Sequence, residues 1–315
     1  MTAPIQKALG LVGLSKQAAK GTPDAQPDFV YGISSGGMFK ADITQDDEEV
    51  TLDTARIATD ANRMSVVPGQ AYKTRAYAKT IGLMLYGALG AIADSGTNPY
   101  THVITPASDT PYLTGWGKHG GQLYRVQDAK MDELDIAWKG AGPLEVSPTL
   151  IGTVMGFPGS ITPGVDDSQA AYFRAAGGTF SMDSASGTPA TAPVNAGAIK
   201  IANGVAPIIL SASVVPDDVI VAAQVITVSL TLAVPSLAEW RKVVTGSSAG
   251  TTVSQAAVKG SFATHFAIDA NNTLDLAAAN VAFTCDFPDS DPKGGPTEVE
   301  MKGSVLIGSP AFTAT

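Results

Sequence analysis

"GPLEVSPTLIG" fills residues 142–152 and "GPTEVEMKGSVLIG" fills residues 295–308, so one chain writes nearly the same phrase twice. In both copies Gly-Pro sets a turn, Glu-Val opens an extended run and Leu-Ile-Gly closes it. A phrase repeated half a chain apart predicts a duplicated unit. "VVP" supplies a second landmark in the same order, at residues 66–68 and 214–216, each time ahead of an extended segment and then a helix-like one. The expected division is a first unit at 1–156, a linker at 157–171 and a second unit at 172–315; "GFPGSITPGVDDSQAA" has the Gly, Pro and Asp density of a connector.

Periodicity assigns elements to each unit. Ile81, Leu85, Leu89 and Ile92 recur every three or four residues, which predicts a helix stopped near Gly90. In the second unit Ser236 stands three residues before Glu239, the spacing of a capping box, with Leu237, Trp240 and Val244 as the apolar stripe and Gly246 as the stop. Strands surround these helices. Ile226, Val228, Leu230, Leu232 and Val234 alternate with Thr227, Ser229, Thr231 and Ala233, and Leu134, Ile136 and Trp138 alternate with Glu133, Asp135 and Lys139. The fold class expected is mainly β, with one short flanking helix per repeat.

The chain has 315 residues, 44% hydrophobic and 16% charged, with 33 Gly and 20 Pro, which suits a strand-and-turn protein with a full core. A formal net charge of −9 argues against a surface built to grip phosphates. The single cysteine, Cys285, excludes a disulfide framework within the chain, and "NVAFTCDF" puts Val281, Phe283, Cys285 and Phe287 on one strand face, as expected of an inert thiol. "IGLMLYGALGAIA" from Ile81 is shorter than the ~20 residues of a membrane-spanning helix. The apolar run near the start is at the lower limit for a signal-peptide core.

Catalytic and ligand motifs are weak. "GWGKHGG" has Gly115, Gly117 and Gly120 at G-x-G-x-x-G spacing, but the strand-like "QLYRVQDAKMDELDIAW" follows where a dinucleotide site needs a helix, so a β-turn is expected. His102, His119 and His265 each stand alone, without a partner at metal-ligand spacing. Asp46, Asp47, Glu48 and Glu49 lack the alternating oxygens and central glycine of a calcium loop. No G-x-S-x-G elbow occurs. The expectation is a protein without catalytic residues, cofactor or metal.

"GLSKQAAKGTPDAQPDFVYG", "VVPGQAYKTRAYAKTIGLMLYGALG" and "KGSFATHFAIDANNTLDLAAANVAFTCDFP" running into "VEMKGSVLIG" together resemble the major tail (tail tube) proteins of long-tailed bacteriophages. The resemblance covers most of the chain and rests on diffuse patterns of strand, helix and glycine. It implies two tandem tail-tube-type domains, each a β-sandwich flanked by a helix, in rings whose inner sheets close into one barrel. Stacked rings would enclose a channel for double-stranded DNA, which passes without specific binding. The implied partners are further copies of the chain, three per pseudo-sixfold ring rather than six, together with the tape measure, tail terminator and distal tail proteins. The implied place is the virion tail, assembled in the bacterial host cytoplasm. The inner tube of a contractile or secretion machine is a near alternative, and a secreted β-rich adhesin or decoration protein a more distant one.

On that resemblance Glu133, Asp135, Ser229 and Thr231 are candidates to line the lumen, where polar or acidic strand faces would let DNA slide. Residues 42–65 are too long and polar for an ordinary connection. They are expected to form an extended loop or hairpin that reaches the adjacent ring, with Asp46, Asp47, Glu48, Glu49, Arg56 and Arg63 setting the stacking register.

Overall fold

The computed structural model describes residues 10–47, 61–97, 100–162, 164–167, 170–185, 189–233, 237–287, 298–306 and 310–315. Among them are twenty-one strands and two helices, so the fold is mainly β. Nineteen of the strands belong to one hydrogen-bonded network, which does not close on itself.

The pairing order of the first half recurs in the second. Leu11–Lys16 pairs with Leu113–His119, which pairs with Gln122–Lys139, then Glu145–Ile151, Ala61–Arg75 and finally Ser35–Asp47. Thr179–Asp183 likewise pairs with Lys259–Asp269, followed by Asn272–Cys285, Glu298–Val305, Val225–Ala233 and Val194–Ala202. Every pair is antiparallel. Val154–Gly156 lies on Gln122–Lys139 as Pro310–Ala314 lies on Asn272–Cys285.

Each long central strand changes partners midway, and an irregularity sits at the change. In the first half the register shifts between Leu113 and Gly115, opposite Asp128, whose φ of 48° is left-handed. Asp tolerates that region better than most residues. Its buried side chain accepts from Gln17 Nε2 and from the Gly21 amide, both at 2.7 Å, while Gln17 Oε1 accepts from the Asp128 amide. This reciprocal pairing satisfies polar groups that would each cost about 1–3 kcal/mol if left bare. In the second half the ladder shifts between Gly260 and Phe262, skipping Ala279 and Asn280.

The two halves are continuous with one another. Gln122–Lys139 pairs along its C-terminal part with Val194–Ala202, Thr101–Pro106 pairs with Pro310–Ala314, and one apolar cluster runs through both halves. Trp138, Phe180 and Phe266 form a three-ring cluster, the indole 5.7 and 5.4 Å from the two phenyl rings, and a Cβ at Gly197 would lie only 2.3 Å from the indole. Within 157–171, Val165–Asp166 runs parallel to Phe29–Gly32, and the buried Asp167 accepts from Thr80 Oγ1 at 2.8 Å.

Helix Ala78–Leu89 ends on Gly90 in the left-handed region, as its sequence predicts, but Ile92 falls in the next strand, Gly90–Ser95. Helix Ala238–Thr245 ends on Gly246 in the same way. Its expected capping box differs: Ser236 lies outside the described residues, and Glu239 accepts from Ser184 Oγ at 2.6 Å and from Lys242 Nζ at 2.8 Å. The "VVP" landmark also needs correction. Val66, Val67 and Pro68 lie within strand Ala61–Arg75, whereas Val214 and Val215 sit in turns well before strand Val225–Ala233, so the two tripeptides are not counterparts. Gly120 and Gly121, with φ of 56° and 88°, form the two-residue turn of a hairpin that pairs His119 with Gln122.

Candidate functional site

The alternation read in the sequence becomes a two-faced sheet. On strand Gln122–Lys139, Leu134, Ile136 and Trp138 are buried, leaving Glu133 and Asp135 on the other face. On Val225–Ala233, Ile226, Val228, Leu230 and Leu232 are buried, leaving Ser229 and Thr231 opposite. Val194–Ala202 lies between these strands and aligns their faces: Lys200 stands opposite both Asp135 and Thr227, and Ala198 opposite both Ala137 and Ser229. Glu133, Asp135, Ser229 and Thr231 therefore share one face of one sheet, although they come from strands far apart in sequence.

That face continues in both directions. On one side it takes in Glu145, Ser147 and Thr149, then Lys73, then Lys40 and Asp42. On the other it takes in Glu298, Glu300, Lys302 and Ser304, then Thr284. It is hollowed into a trough of about 440 Å³ lined by Asp135, Lys200, Thr227, Ser229, Thr284 and Lys302.

Acids and lysines interleave on it. Lys200 Nζ lies 2.8 Å from Glu133, Lys302 Nζ 3.3 Å from Glu300, Lys40 Nζ 2.8 Å from Asp42, and Lys73 pairs with Glu145. The hydrogen bond that Lys200 donates to Glu133 raises the Lys200 pKa. Burial raises that of Asp135, against the pull of Lys200 and Lys73. The face is thus polar and charge-mixed rather than acidic. Sequence reasoning missed Lys73, Glu145, Lys200, Glu300 and Lys302, because nothing local to them says which distant strand they will face.

Strands Ser35–Asp47 and Ala61–Arg75 pair antiparallel from Ser35↔Lys73 to Asp47↔Ala61, a long two-stranded ladder that takes in residues 42–47 and 61–65 of the polar segment. Asp46 and Arg63 are exposed near its far end, with Gln45 opposite Arg63, and neither makes an ion pair among the described residues. Asp47 ends the first strand. Glu48, Glu49 and Arg56 lie outside the described residues. The corresponding part of the second half lies against the first: Ala206–Ile208 and Asp218–Ile220 form a small separate ladder, held by Tyr112 Oη donating to Asp218 at 2.8 Å and by Lys20 at 3.1 Å from the same carboxylate, and Val66 N donates to Val214 O at 2.7 Å.

Cys285 is half-buried, and burial pushes its thiol up to about 11, so little nucleophilic thiolate exists at neutral pH. Phe287, expected on the same buried face, is 61% exposed. His102 lies 2.7 Å from Asp94 and His265 2.6 Å from Asp275, each pair across adjacent strands. Among the described residues no three His, Cys, Asp or Glu gather as metal ligands, and no helix is long and apolar enough to cross a membrane. No protein-family model matches the chain, and no curated protein matches it.

Proposed function

We propose that this chain is a structural subunit of a tail tube of the long-tailed bacteriophage type, built as two tandem tail-tube-type domains whose rings stack around a channel for double-stranded DNA. The observation that carries this reading is the polar face that runs unbroken through both halves. A solvated, many-stranded face that is not filled by side chains suits the wall of an aqueous lumen. Its interleaved charges suit passage: isolated lysine patches would neutralise phosphates and hold the DNA, whereas lysines already paired with carboxylates leave little net attraction. Three chains would supply six domains to a ring, the subunits would reside in the virion tail, and the hairpin that carries Asp46 and Arg63 would reach the adjacent ring.

Electron microscopy of the purified protein tests this. The expected outcome is hollow rods with six wall units in cross-section contributed by three chains. Deleting residues 46–60 should leave single rings or monomers that fail to elongate. Solid fibres, or a protein that stays monomeric at every concentration, would overturn the proposal.

A further inference from the structure

We propose that the joint between the two halves of one chain is repeated between chains, with the edge strand Ser35–Asp47 of one copy adding antiparallel to residues 283–287 of the next. This rests on the ring assembly proposed above and specifies its contact.

The in-chain joint shows both parts of such a contact occupied. Strand Val194–Ala202 is the last strand of the second-half ladder, and its outer edge is hydrogen-bonded along residues 133–139 of Gln122–Lys139. The same two parts stand open at the ends of the chain. Ser35–Asp47, the counterpart of Val194–Ala202, pairs only with Ala61–Arg75, so its outer edge is free among the described residues. Asn272–Cys285, the counterpart of Gln122–Lys139, pairs with Lys259–Asp269 only as far as Ala282, and beyond it no described strand takes that side. A thirteen-residue edge strand invites pairing with another chain, and a heterologous contact of one edge with a different edge generates a ring.

The ladders fix the register. Glu145 opposes Arg75 as Glu298 opposes Ala233, which carries Gly69 onto Thr227 and hence Lys40 onto Lys200. Asp135 opposes Ser147, whose counterpart Glu300 stands one step beyond the Cys285↔Met301 pair, which carries Asp135 onto Asp286 and Ile136 onto Phe287. Within the chain Lys200 faces Asp135 and Ile199 faces Ile136. Between chains Lys40 would face Asp286, Phe39 would face Phe287, and Ala41 would face Cys285. The chemistry is the same at each position: lysine against aspartate on the polar face, apolar against apolar beneath. The transfer also fits the exposure of Phe287, which touches the Trp240 ring edge-on at 4.9 Å yet stays 61% exposed, whereas its counterpart Ile136, in a joint that is made, is fully buried.

Cross-linking tests the register, since Cys285 is the sole cysteine. Directly opposed residues bring Cβ atoms within disulfide reach, whereas their neighbours point to the other face. Under mild oxidation of assembled protein, Ala41→Cys should convert most of the monomer into a disulfide-linked ladder on a non-reducing gel. Lys40→Cys and Asp42→Cys should not, and adding Cys285→Ser should abolish the ladder. Rings or tubes of Ala41→Cys that run as monomer would overturn the joint and leave the tube proposal standing. A ladder without rings would support the joint and sink the tube. Should Ala41→Cys not fold, charge reversal decides: Lys40→Glu and Asp286→Lys should each lose assembly and together recover it, and failure of the double variant to recover would overturn the contact.

Discussion

The first half buries its helix and the second does not, although both helices follow equivalent strands of the same ladder. Ala78–Leu89 buries Thr80, Ile81, Met84, Leu85, Gly87, Ala88 and Leu89, while Ala238–Thr245 buries none of its residues. Around the first helix, Asn203 Nδ2 donates to Ala88 O at 2.9 Å and to Met131 O at 2.8 Å, so a residue from the second half ties down the helix terminus of the first. The excursions differ too: Ser35–Asp47 and Ala61–Arg75 form a long ladder in the first half, whereas Ala206–Ile208 and Asp218–Ile220 form a short separate one in the second. A repeated pairing order holds the frame, and the elements hung on it diverge with what each has to cover.

Unequal burial should appear first as unequal cost. Leu85→Ala removes a fully buried side chain and should destabilise the chain by about 2–5 kcal/mol. Val244→Ala, on the half-buried counterpart helix, should cost no more than about 1 kcal/mol. Denaturant melts of the two variants check this. Equal losses would mean that the second helix is as much a part of the core as the first.

The next effect is smaller and opposite in sign. Gln70 and Val228 hold equivalent places in the two ladders, each 1% exposed, and neither amide atom of Gln70 has a protein hydrogen-bond partner. Gln70→Leu restores to the first half the apolar character of the second. It should stabilise the fold by about 1–2 kcal/mol, which for a chain of this size raises Tm by a few degrees at most. A lower Tm would show that the amide, packed against Gly115, holds a place that leucine cannot fill.

These contrasts also mark what was legible in the sequence. The faces of individual strands were, because period-two alternation is local: Leu134, Ile136 and Trp138 are buried as their spacing predicts, and so are Ile226 to Leu232. Both glycine helix stops were legible for the same reason. Strand partners were not. Lys200 meets Glu133 only through a ladder between residues far apart in sequence, and no local pattern fixes such a register. The "VVP" repeat misled because an apolar tripeptide recurs without structural equivalence. For residues 42–65 the sequence left loop and hairpin both open, because two strands that satisfy each other's backbone groups need no apolar face of their own.

The smallest effect bears on the joint. Asp135 lies at the in-chain contact, half-buried, while its counterpart Asp286 lies at the open edge, exposed. Burial raises the Asp135 pKa above its ordinary value of 3.8, chiefly by disfavouring the carboxylate. The folded state therefore binds this proton more tightly than the unfolded state does. The resulting stability is fully present below the unfolded pKa and is lost as pH rises through the higher folded value. Asp135→Asn, which keeps the shape without the charge, should accordingly raise stability at pH 7. Lys200 and Lys73 already offset part of the burial, and the group is half in water, so the gain should be less than about 1 kcal/mol. The gain should shrink as pH falls toward 4 and the wild-type carboxyl takes up its proton. Asp286→Asn, at an exposed position of the unassembled chain, should stay within about 0.5 kcal/mol of the wild type at pH 7. Thermal melts of both variants at pH 7 and pH 4 decide the matter: a loss of stability in Asp135→Asn at pH 7 would mean that attraction to the lysines outweighs burial, and that the polar face is held together by its charges rather than merely tolerating them.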